Sequence, residues 1–164
     1  MKKQFVQVLS VVLLTTLAGC GFHLRGDIDL PPAWRSLTLS SASPNSELSK
    51  AMQAAFERNG INWQDPANAG YKLFLGEEKF ERRNLTIGDN ARAAEFELIL
   101  STTLRVTDRE GVEVLPEIKV SSHKIMTADP ENITGKVEES RLLRQEMRQD
   151  LVQQLMRQLR FVAT

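Results

Sequence analysis

The chain has little of what enzymes and disulfide-stabilised proteins are usually built from. Its 164 residues include one cysteine and two histidines, and its nine glycines are scattered along the chain. One cysteine cannot form an intramolecular disulfide, so packing alone must hold the fold. Two histidines and one thiol cannot supply the clustered soft or imidazole ligands of a metal site. The sequence therefore predicts no metal site and no cofactor, and it predicts a protein that is not an enzyme.

The chain also lacks an excess of either charge, because it has 21 basic and 21 acidic residues. A nucleic-acid-binding domain is usually strongly basic, so this balance argues against nucleic acid as a partner. Adjacent carboxylates occur twice, at Glu77 and Glu78 and at Glu138 and Glu139. Neighbouring residues on a strand or helix point apart, so we expect these carboxylates on the surface rather than as acid–base pairs.

The longest apolar stretch lies at the amino terminus and has the layout of an export signal. Lys2 and Lys3 precede the mainly apolar run Phe5–Leu17, which is too short for a stable membrane-spanning helix. Small residues follow and end at the single cysteine, in Leu17-Ala18-Gly19-Cys20. A basic start, a short apolar run and a small-residue cleavage site are typical of a secretory signal peptide. An ordinary signal peptide with an accidental cysteine is the alternative to a lipoprotein signal.

The position of Cys20 resembles the cleavage site of bacterial lipoproteins. The resemblance implies that residues 1–19 are removed and that Cys20 receives a diacylglycerol thioether and an N-acyl chain. Several acyl chains anchor a protein almost permanently, since each buried CH₂ contributes about 0.8 kcal/mol. Gly21 follows the cysteine in place of Asp, which favours sorting to the outer membrane. No second apolar segment follows, so we expect the protein to lie on the membrane without crossing it.

The rest of the chain is long enough for one domain. Removing residues 1–19 leaves 145 of the 164 residues, with 19 basic and 21 acidic side chains and a net charge of −2. A chain of this length can bury a core without disulfides. Gly26 and the pair Pro31-Pro32 disfavour regular structure near the start. We therefore expect a lipidated tether over residues 20–36 and a single domain over residues 37–164.

The first half of the domain has the signals of short strands around one helix. Leu37–Ser40 is a predicted strand. Apolar residues at helical spacing predict a helix from Leu48 that ends at Asn59-Gly60, because glycine adopts the left-handed conformation that terminates helices. Residues 61–63 can form a brief strand, and alternation predicts another at Tyr71–Leu75.

The second half predicts a hairpin and a long helix. Strict alternation indicates a strand over residues 96–107, with Leu100 facing inward and Ser101 outward. A turn at Asp108–Gly111 leads to a return strand in which Pro116 indicates an edge position or a bulge. A helix over residues 137–161 carries an apolar residue every four positions: Leu143, Met147, Leu151, Leu155 and Leu159. This stripe favours a core helix, with a partner-binding helix as the alternative.

The element order β-α-β-β-β-α predicts an α/β (α+β) two-layer sandwich. We expect a mixed four-stranded sheet with both helices on one face, because each helix and the sheet carry a single apolar face. A right-handed crossover should make the first two strands parallel or near neighbours.

Basic residues gather in two predicted loops. Arg82, Arg83 and Arg92 flank the connection between the second and third predicted strands, while Lys124 ends the last strand and Lys136 precedes the last helix. Such loops on a lipid-anchored domain can hold an anionic headgroup through charge-assisted hydrogen bonds. Ordinary surface charge is the alternative for each of these residues.

The start of the expected mature chain, Cys20-Gly21-Phe22-His23-Leu24-Arg25-Gly26, resembles that of the LptE family of lipopolysaccharide-assembly lipoproteins. The predicted strand at Leu37–Ser40, the helix from Leu48, the segment Arg92–Leu98 and the loop Asp129–Asn132 are consistent with the same family. The resemblance covers nearly all of residues 20–161. It implies a two-layer α/β sandwich without enzymatic activity.

The resemblance also implies partners and a binding site. Members of the family plug the lumen of the LptD outer-membrane β-barrel, help to assemble it, and bind lipopolysaccharide for insertion into the outer leaflet. Binding is implied through basic residues of two loops. Lys136 occupies the second of these loops. In the first loop the aligned position carries Asp89, and Arg92 lies three residues further on. Lys136 and Arg92 are therefore the predicted lipopolysaccharide contacts.

A second hypothesis is a free-standing, periplasm-facing lipoprotein that acts as a pilotin-like chaperone of another outer-membrane protein. The two hypotheses differ in whether a β-barrel co-purifies with the chain in equal amounts. The sequence leaves open the lipopolysaccharide chemotype, the barrel contacts and the oligomeric state outside the complex.

Overall fold

The computed structural model describes residues 32–87, 93–129 and 131–162, which form six strands and two α-helices. A 3₁₀ turn at Pro32–Arg35 precedes them. In chain order the elements are β1 (Ser36–Ser41), α1 (Glu47–Arg58), β2 (Asn62–Trp63), β3 (Tyr71–Leu75), β4 (Lys79–Ile87), β5 (Ala93–Asp108), β6 (Glu113–Thr127) and α2 (Ile133–Val162). The predicted signal peptide, Cys20, most of the predicted tether and Arg92 lie outside the described residues.

The six strands form one mixed sheet. β1 pairs in parallel with β2 on one side and with β3 on the other. β3 pairs antiparallel with the last residues of β5, and β4 pairs antiparallel with Ala93–Ser101 of β5. Because β6 occupies the opposite edge of β5 along nearly its whole length, β3 and β4 share one edge in succession. We call one part of the sheet the arm. It consists of β4, residues Ala93–Ser101 of β5 and residues Ser121–Thr127 of β6. The strands predicted at Leu37–Ser40 and Tyr71–Leu75 correspond to β1 and β3. Their predicted parallel arrangement is confirmed.

Helix α1 begins and ends where its sequence predicts. The Ser46 hydroxyl accepts a hydrogen bond from the backbone N–H of Ser49 at 3.1 Å, which caps the first turn. Gly60 follows the helix with φ +78°, a conformation that side chains other than glycine rarely adopt. Leu48, Met52 and Phe56 are buried on one face of the helix.

One core lies between the inner face of the sheet and both helices. Leu98, Leu100, Leu104 and Val106 alternate along β5 and are fully buried, as the period of two predicts. Met147, Leu151, Leu155 and Leu159 of α2 are fully buried as well. The core reading of the α2 stripe is therefore confirmed, and so is the two-layer sandwich.

The predicted count of four strands is wrong, because the sheet has six. The brief strand predicted at residues 61–63 exists as β2. Where the structure has β4, the sequence predicts a connection between strands. The inward positions of β4 are Phe80, Arg82 and Asn84, which lie opposite Leu100, Leu98 and Phe96. Only one of the three inward positions on β4 is apolar, so alternation does not reveal this strand. The observed order is β-α-β-β-β-β-β-α.

Two local expectations also change. The alternation predicts that Ser101 faces outward. It does lie on the opposite face of the sheet from Leu100, but its side chain is only 3% exposed. Its register partners are Lys79 on β4 and Ser121 on β6, so strands flank it on both sides. Helix α2 begins at Ile133 rather than Val137, because the Asn132 side chain accepts the Gly135 N–H at 3.0 Å and caps the helix.

Pro116 lies on an edge strand and at a bulge, as its position in the sequence predicts. β6 pairs only with β5, and the register slips by one residue between the pairs Leu104–Ile118 and Val106–Leu115. Among the described helices, even the 30-residue α2 lacks a segment apolar enough to cross a membrane.

Candidate functional site

An open groove of about 620 Å³ lies between the first turns of α2 and the inner face of the arm. Phe96 of β5 and Met126 of β6 line the sheet side. Ile133 and Val137 line the helix side, and they are 70% and 67% exposed. These two residues lie four apart and therefore share one helix face. The α2 residues that pack in or against the core begin at Leu143, so Ile133 and Val137 lie outside the core on the exposed first turns of the helix.

Five cationic side chains also line the groove: Arg82, Lys136, Arg141, Arg144 and Arg148. Four of them come from α2 and one from β4. The four cations on α2 lie within about three turns of the helix. The groove therefore combines an apolar lining with five cationic side chains and one carboxylate, Asp129.

Three of the five cations are paired with carboxylates. Lys136 Nζ lies 2.7 Å from Glu139 Oε2, one turn further along α2. Arg141 donates two hydrogen bonds to Glu138, at 2.6 and 2.9 Å. This exposed pair lowers the pKa of Glu138, chiefly through the hydrogen bonds, and raises the pKa of Arg141 for the same reason.

The third pair joins α2 to the segment between β3 and β4. Arg148 Nε and Nη2 donate to the two carboxylate oxygens of Glu78, at 2.7 and 2.9 Å. The side chains are only 19% and 16% exposed. The hydrogen bonds to Glu78 raise the pKa of Arg148 above its usual value, although partial burial opposes them. This planar, bidentate pair holds the helix against the base of the arm.

Arg82 and Arg144 differ from the other three, because within the described residues neither has a carboxylate partner. The Arg82 guanidinium lies over the Phe96 ring, with its central carbon 4.5 Å from the ring centroid. The Arg144 guanidinium lies over Phe80 at 3.8 Å. Arg144 Nε is buried and has no hydrogen-bond partner. An unsatisfied buried donor costs about 1–3 kcal/mol, so a hydrogen bond from this nitrogen to an acceptor would recover free energy.

The predicted site residues have different outcomes. Lys136 lies in the groove, although in the first turn of α2 rather than in a loop, and its side chain is 23% exposed. Arg82 and Arg83 lie on β4 rather than in a loop, with Arg82 on the inner face and Arg83 on the outer face, paired to Glu81. Lys124 lies within β6 and contacts Glu146 at 3.4 Å. Arg92 falls outside the described residues, so its prediction stays a prediction.

Arg144 and Arg148 were missed, because on the helix they had the appearance of polar residues between apolar ones. The one available signal was the aromatic residue Phe80, which follows Glu78 by two positions in a charged segment. An aromatic residue beside a carboxylate offers a guanidinium both a ring to stack on and an anion to bind.

The outer face of the sheet carries a hydrogen-bonded Ser-His-Glu chain. His123 Nδ1 lies 2.9 Å from Glu97 Oε1, and Nε2 lies 3.2 Å from Ser121 Oγ. This resembles a nucleophile, a base and an orienting acid. His123 is however 52% exposed on the sheet surface, where backbone N–H groups lie in the sheet plane and cannot form an oxyanion hole above it. Among the residues that the structure describes, no group of three or more potential ligands could hold a metal ion.

The comparison with known families decides what this chain is related to. Residues 34–159 match the family described as LptE, Lipopolysaccharide-assembly. The chain belongs to the LptE family. The matched region begins at the 3₁₀ turn before β1 and ends in α2, so it includes the complete sheet and the groove.

Named relatives agree with this membership. The LPS-assembly lipoprotein LptE of Pectobacterium atrosepticum is 29% identical over 159 residues, covering 94% of this chain and 84% of the relative. The protein of the same name from Yersinia enterocolitica is 28% identical over 162 residues, covering 97% and 77%.

Solved structures of bacterial lipoproteins share the fold. The rare lipoprotein B of Shewanella oneidensis is 23% identical with a TM-score of 0.65, and covers 75% of this chain and 92% of its own. Lipoprotein B of Nitrosomonas europaea is 20% identical with a TM-score of 0.71, covering 85% and 90%. At these identities the similarity concerns the fold alone. It supports the mixed sheet with two helices in this LptE-family chain.

Proposed function

We propose that this chain is a lipid-anchored outer-membrane protein that binds lipopolysaccharide and forms a plug inside an LptD-type β-barrel. Membership of the LptE family supports a role in lipopolysaccharide assembly. The observation that carries the binding role is the groove, where exposed apolar residues and five cationic side chains occur together. Lipopolysaccharide combines phosphates with acyl chains, and this combination needs both kinds of surface.

The proposed contacts include Lys136 and Arg92, the two residues implied by the family resemblance. Lys136 lines the groove but its ammonium group is paired with Glu139 at 2.7 Å. A ligand phosphate would therefore compete with, or extend, this ion pair. Glu139 is 42% exposed, so water already screens part of this ion pair and the lysine can be shared with a phosphate.

The outer face of the sheet suits the polar interior of a barrel. Lys119 and His123 are exposed there, and Arg105 lies over Phe74 while also contacting Glu113. A plug has to remain compatible with water and with a polar wall, and mixed charge provides this. The hydrophilic face supports the plug role, while the groove on the other side of the sheet stays available to lipid.

The anchor proposed for this protein is the lipid on Cys20. The structure describes the chain from residue 32, twelve positions after that cysteine. An extended chain spans at most about 3.3–3.6 Å per residue, so this segment can hold the folded domain up to about 40 Å from the membrane surface. We place the domain on the periplasmic side, within the barrel lumen.

One experiment tests both parts of the proposal. The full chain with a carboxyl-terminal tag is expressed in a Gram-negative cell and purified in a mild detergent. We expect an LptD-type β-barrel in equal amount and retained lipopolysaccharide. Recovery without any barrel would refute the plug, and co-purification of a different outer-membrane protein would favour the pilotin-like chaperone instead. Absence of lipopolysaccharide binding by the purified chain would refute the binding role.

A further inference from the structure

From the geometry of the groove we infer that Arg82 and Arg144 form its phosphate-binding pair, and that an acyl chain of the same ligand lies along Phe96, Met126 and Val137. The ligand class is a phosphorylated, acylated lipid. This inference rests on the proposed function, since it assigns the part of the site that recognises lipopolysaccharide. The assigned residues differ from those that the family resemblance implies.

The first argument is the state of the charges. Lys136, Arg141 and Arg148 are each paired with a carboxylate within 2.9 Å. In the described part of the chain, Arg82 and Arg144 contact aromatic rings instead of carboxylates. The phosphates of one ligand can therefore each bind one of these guanidinium groups without displacing an ion-pair partner, and Asp129 is the one acidic side chain among the described lining residues.

The second argument is that both guanidinium groups are positioned in advance. Phe80 lies opposite Leu100 and Phe96 lies opposite Asn84, so the two stacking rings occupy positions four residues apart along the strands, about 13 Å, and the two guanidinium groups suit two separate phosphates of one ligand. Arg144 stacks on Phe80 and Arg82 stacks on Phe96, which places both groups on the inner face of the arm. Stacking fixes the plane of a guanidinium and leaves its N–H donors free at the edge.

The third argument is the buried donor of Arg144. Its Nε has no hydrogen-bond partner, although the side chain lines the groove. Because Nε is enclosed by protein atoms, a ligand phosphate binds the terminal nitrogens of Arg144 at the groove and reaches Nε only after a shift of the side chain. Such a shift would satisfy the donor that the described part of the protein leaves unpaired.

The fourth argument concerns the rest of the ligand. A free phosphate ion would need only the cations, and the groove has an apolar lining as well. Val137 and Ile133 are among the most exposed large apolar residues in the described chain. Acyl chains would cover this surface and gain about 25 cal/mol per Å² of buried apolar area. The charge and the apolar surface together select a phosphorylated lipid over a simple anion or an acidic peptide.

The test measures how the full chain, immobilised in mild detergent, binds two probes. One probe is purified lipopolysaccharide, and the other is the same material after enzymatic removal of its lipid A phosphates. The test variant is Arg82→Gln with Arg144→Gln. The control is Arg83→Gln with Arg157→Gln, because Arg83 lies on the outer face of the same strand and Arg157 is exposed further along the same helix.

We expect the test variant to bind lipopolysaccharide at least about tenfold more weakly, while the control stays within about twofold of the wild type. The wild type should prefer the phosphorylated probe by a similar factor, and the test variant should lose that preference. A test variant that keeps the wild-type preference for phosphate would overturn the assignment and leave the proposed function standing. A wild-type chain that binds neither probe would refute the proposed function itself.

Two further variants separate folding and the acyl part. Arg82→Lys with Arg144→Lys keeps the charge but loses the stacked planar donors, and we expect an intermediate loss of affinity with an unchanged thermal melt. Val137→Asn should weaken binding of both probes about equally, because it acts on the acyl chain. Unaltered affinity in Val137→Asn, or displacement of lipopolysaccharide by millimolar inorganic phosphate, would overturn the lipid assignment.

Discussion

Two ion pairs of the same chemistry show how burial decides what a charged residue contributes. Arg148 with Glu78 and Arg141 with Glu138 are both bidentate. The first pair is more than four-fifths buried and joins distant segments, whereas both partners of the second are more than half exposed on one helix. Removing one partner of a buried pair leaves a desolvated charge, so the two pairs should respond differently to mutation.

Glu78→Ala should lower the free energy of unfolding by about 1.5–3 kcal/mol, because Arg148 then loses two charge-assisted hydrogen bonds in a partly buried position. Urea denaturation measures the change. Glu138→Ala is the control, and its unfolding midpoint should stay close to that of the wild type. Equal midpoints in the two variants would contradict the structural role assigned to the buried pair.

The exposed pair still has a signature in its titration. Arg141 holds the pKa of Glu138 below its usual value of 4.5. A lowered pKa in the folded state stabilises the fold above the pKa of the unfolded chain and loses that effect as pH falls through the folded value. Arg141→Gln should therefore raise the pKa of Glu138 toward 4.5, as carboxyl NMR shifts would reveal. A pKa that stays unchanged in this variant would exclude Arg141 as the cause.

Cys20 is the residue on which the proposed lipid anchor depends. Cys20→Ala should yield an unprocessed precursor or a form that is released from membranes by washing, because no sulfur remains to carry the diacylglycerol. Fractionation and mass spectrometry of the purified chain distinguish these products. A correctly processed, membrane-bound product from this variant would rule out the lipoprotein signal.

At the scale of elements, the segment that joins β3 to β4 packs closely against β5. The Gly76 N–H donates to the Thr103 carbonyl at 2.8 Å, and Thr102 Oγ1 donates to the Gly76 carbonyl at 3.1 Å. A Cβ at position 76 would collide with Thr103 Oγ1 and lie 3.2 Å from the Thr103 backbone nitrogen. The glycine therefore allows β5 to approach closely where one partner strand gives way to the next.

Gly76→Ala should destabilise the fold by about 1–3 kcal/mol, the usual cost of inserting a carbon into a closely packed site. The double variant Gly76→Ala with Thr103→Ala removes the colliding hydroxyl and should recover part of the loss, as urea denaturation would measure. Gly70→Ala is the comparison, since the nearest atom to the added carbon there is the Ser36 carbonyl oxygen at 3.5 Å, an ordinary van der Waals distance. A double variant no more stable than Gly76→Ala alone would show that backbone contacts dominate.

The core elements could be predicted because their patterns are local. The alternation in β5 and the four-residue spacing in α2 follow directly from burial of one face. β4 could not be predicted, because its inner positions face a groove and carry Arg82 and Asn84 where a core strand would carry apolar residues. The candidate site could be predicted only in part, because some of its residues act through partners that are distant in sequence. Lys136 stands near a recognisable helix start, whereas the role of Arg144 depends on Phe80, which is distant in sequence.

At the scale of the whole molecule, the sheet has two parts with different support. The part around Leu104 and Val106 is covered by both helices, and its side chains are fully buried. The base of the arm belongs to the core through Leu98 and Leu100, whereas its far end carries an open groove and the polar residues Arg82 and Asn84 on its inner face. Local opening should therefore begin in the arm.

Amide hydrogen exchange should reveal this difference. We expect amides of residues 82–86 on β4 to exchange at least about tenfold faster than amides of residues 104–106 on β5, because a difference of about 1.4 kcal/mol in opening free energy already has that effect. Added lipopolysaccharide should slow exchange in the arm and leave the core unchanged. Uniform protection throughout the sheet would contradict the division into two parts.

The succession of β3 and β4 along one edge of β5 has a consequence for how this family can diverge. Because β4 replaces β3 as the partner of β5 beyond Gly76, the far ends of the arm strands can lengthen or shorten without a change of register between β3 and β5. Side chains alternate with a period of two, so only even, matched insertions keep the basic residues on the groove face. Adding two residues to each strand would extend the reach of the groove by about 7 Å. Relatives that handle larger or smaller lipids are expected to differ in arm length by such steps.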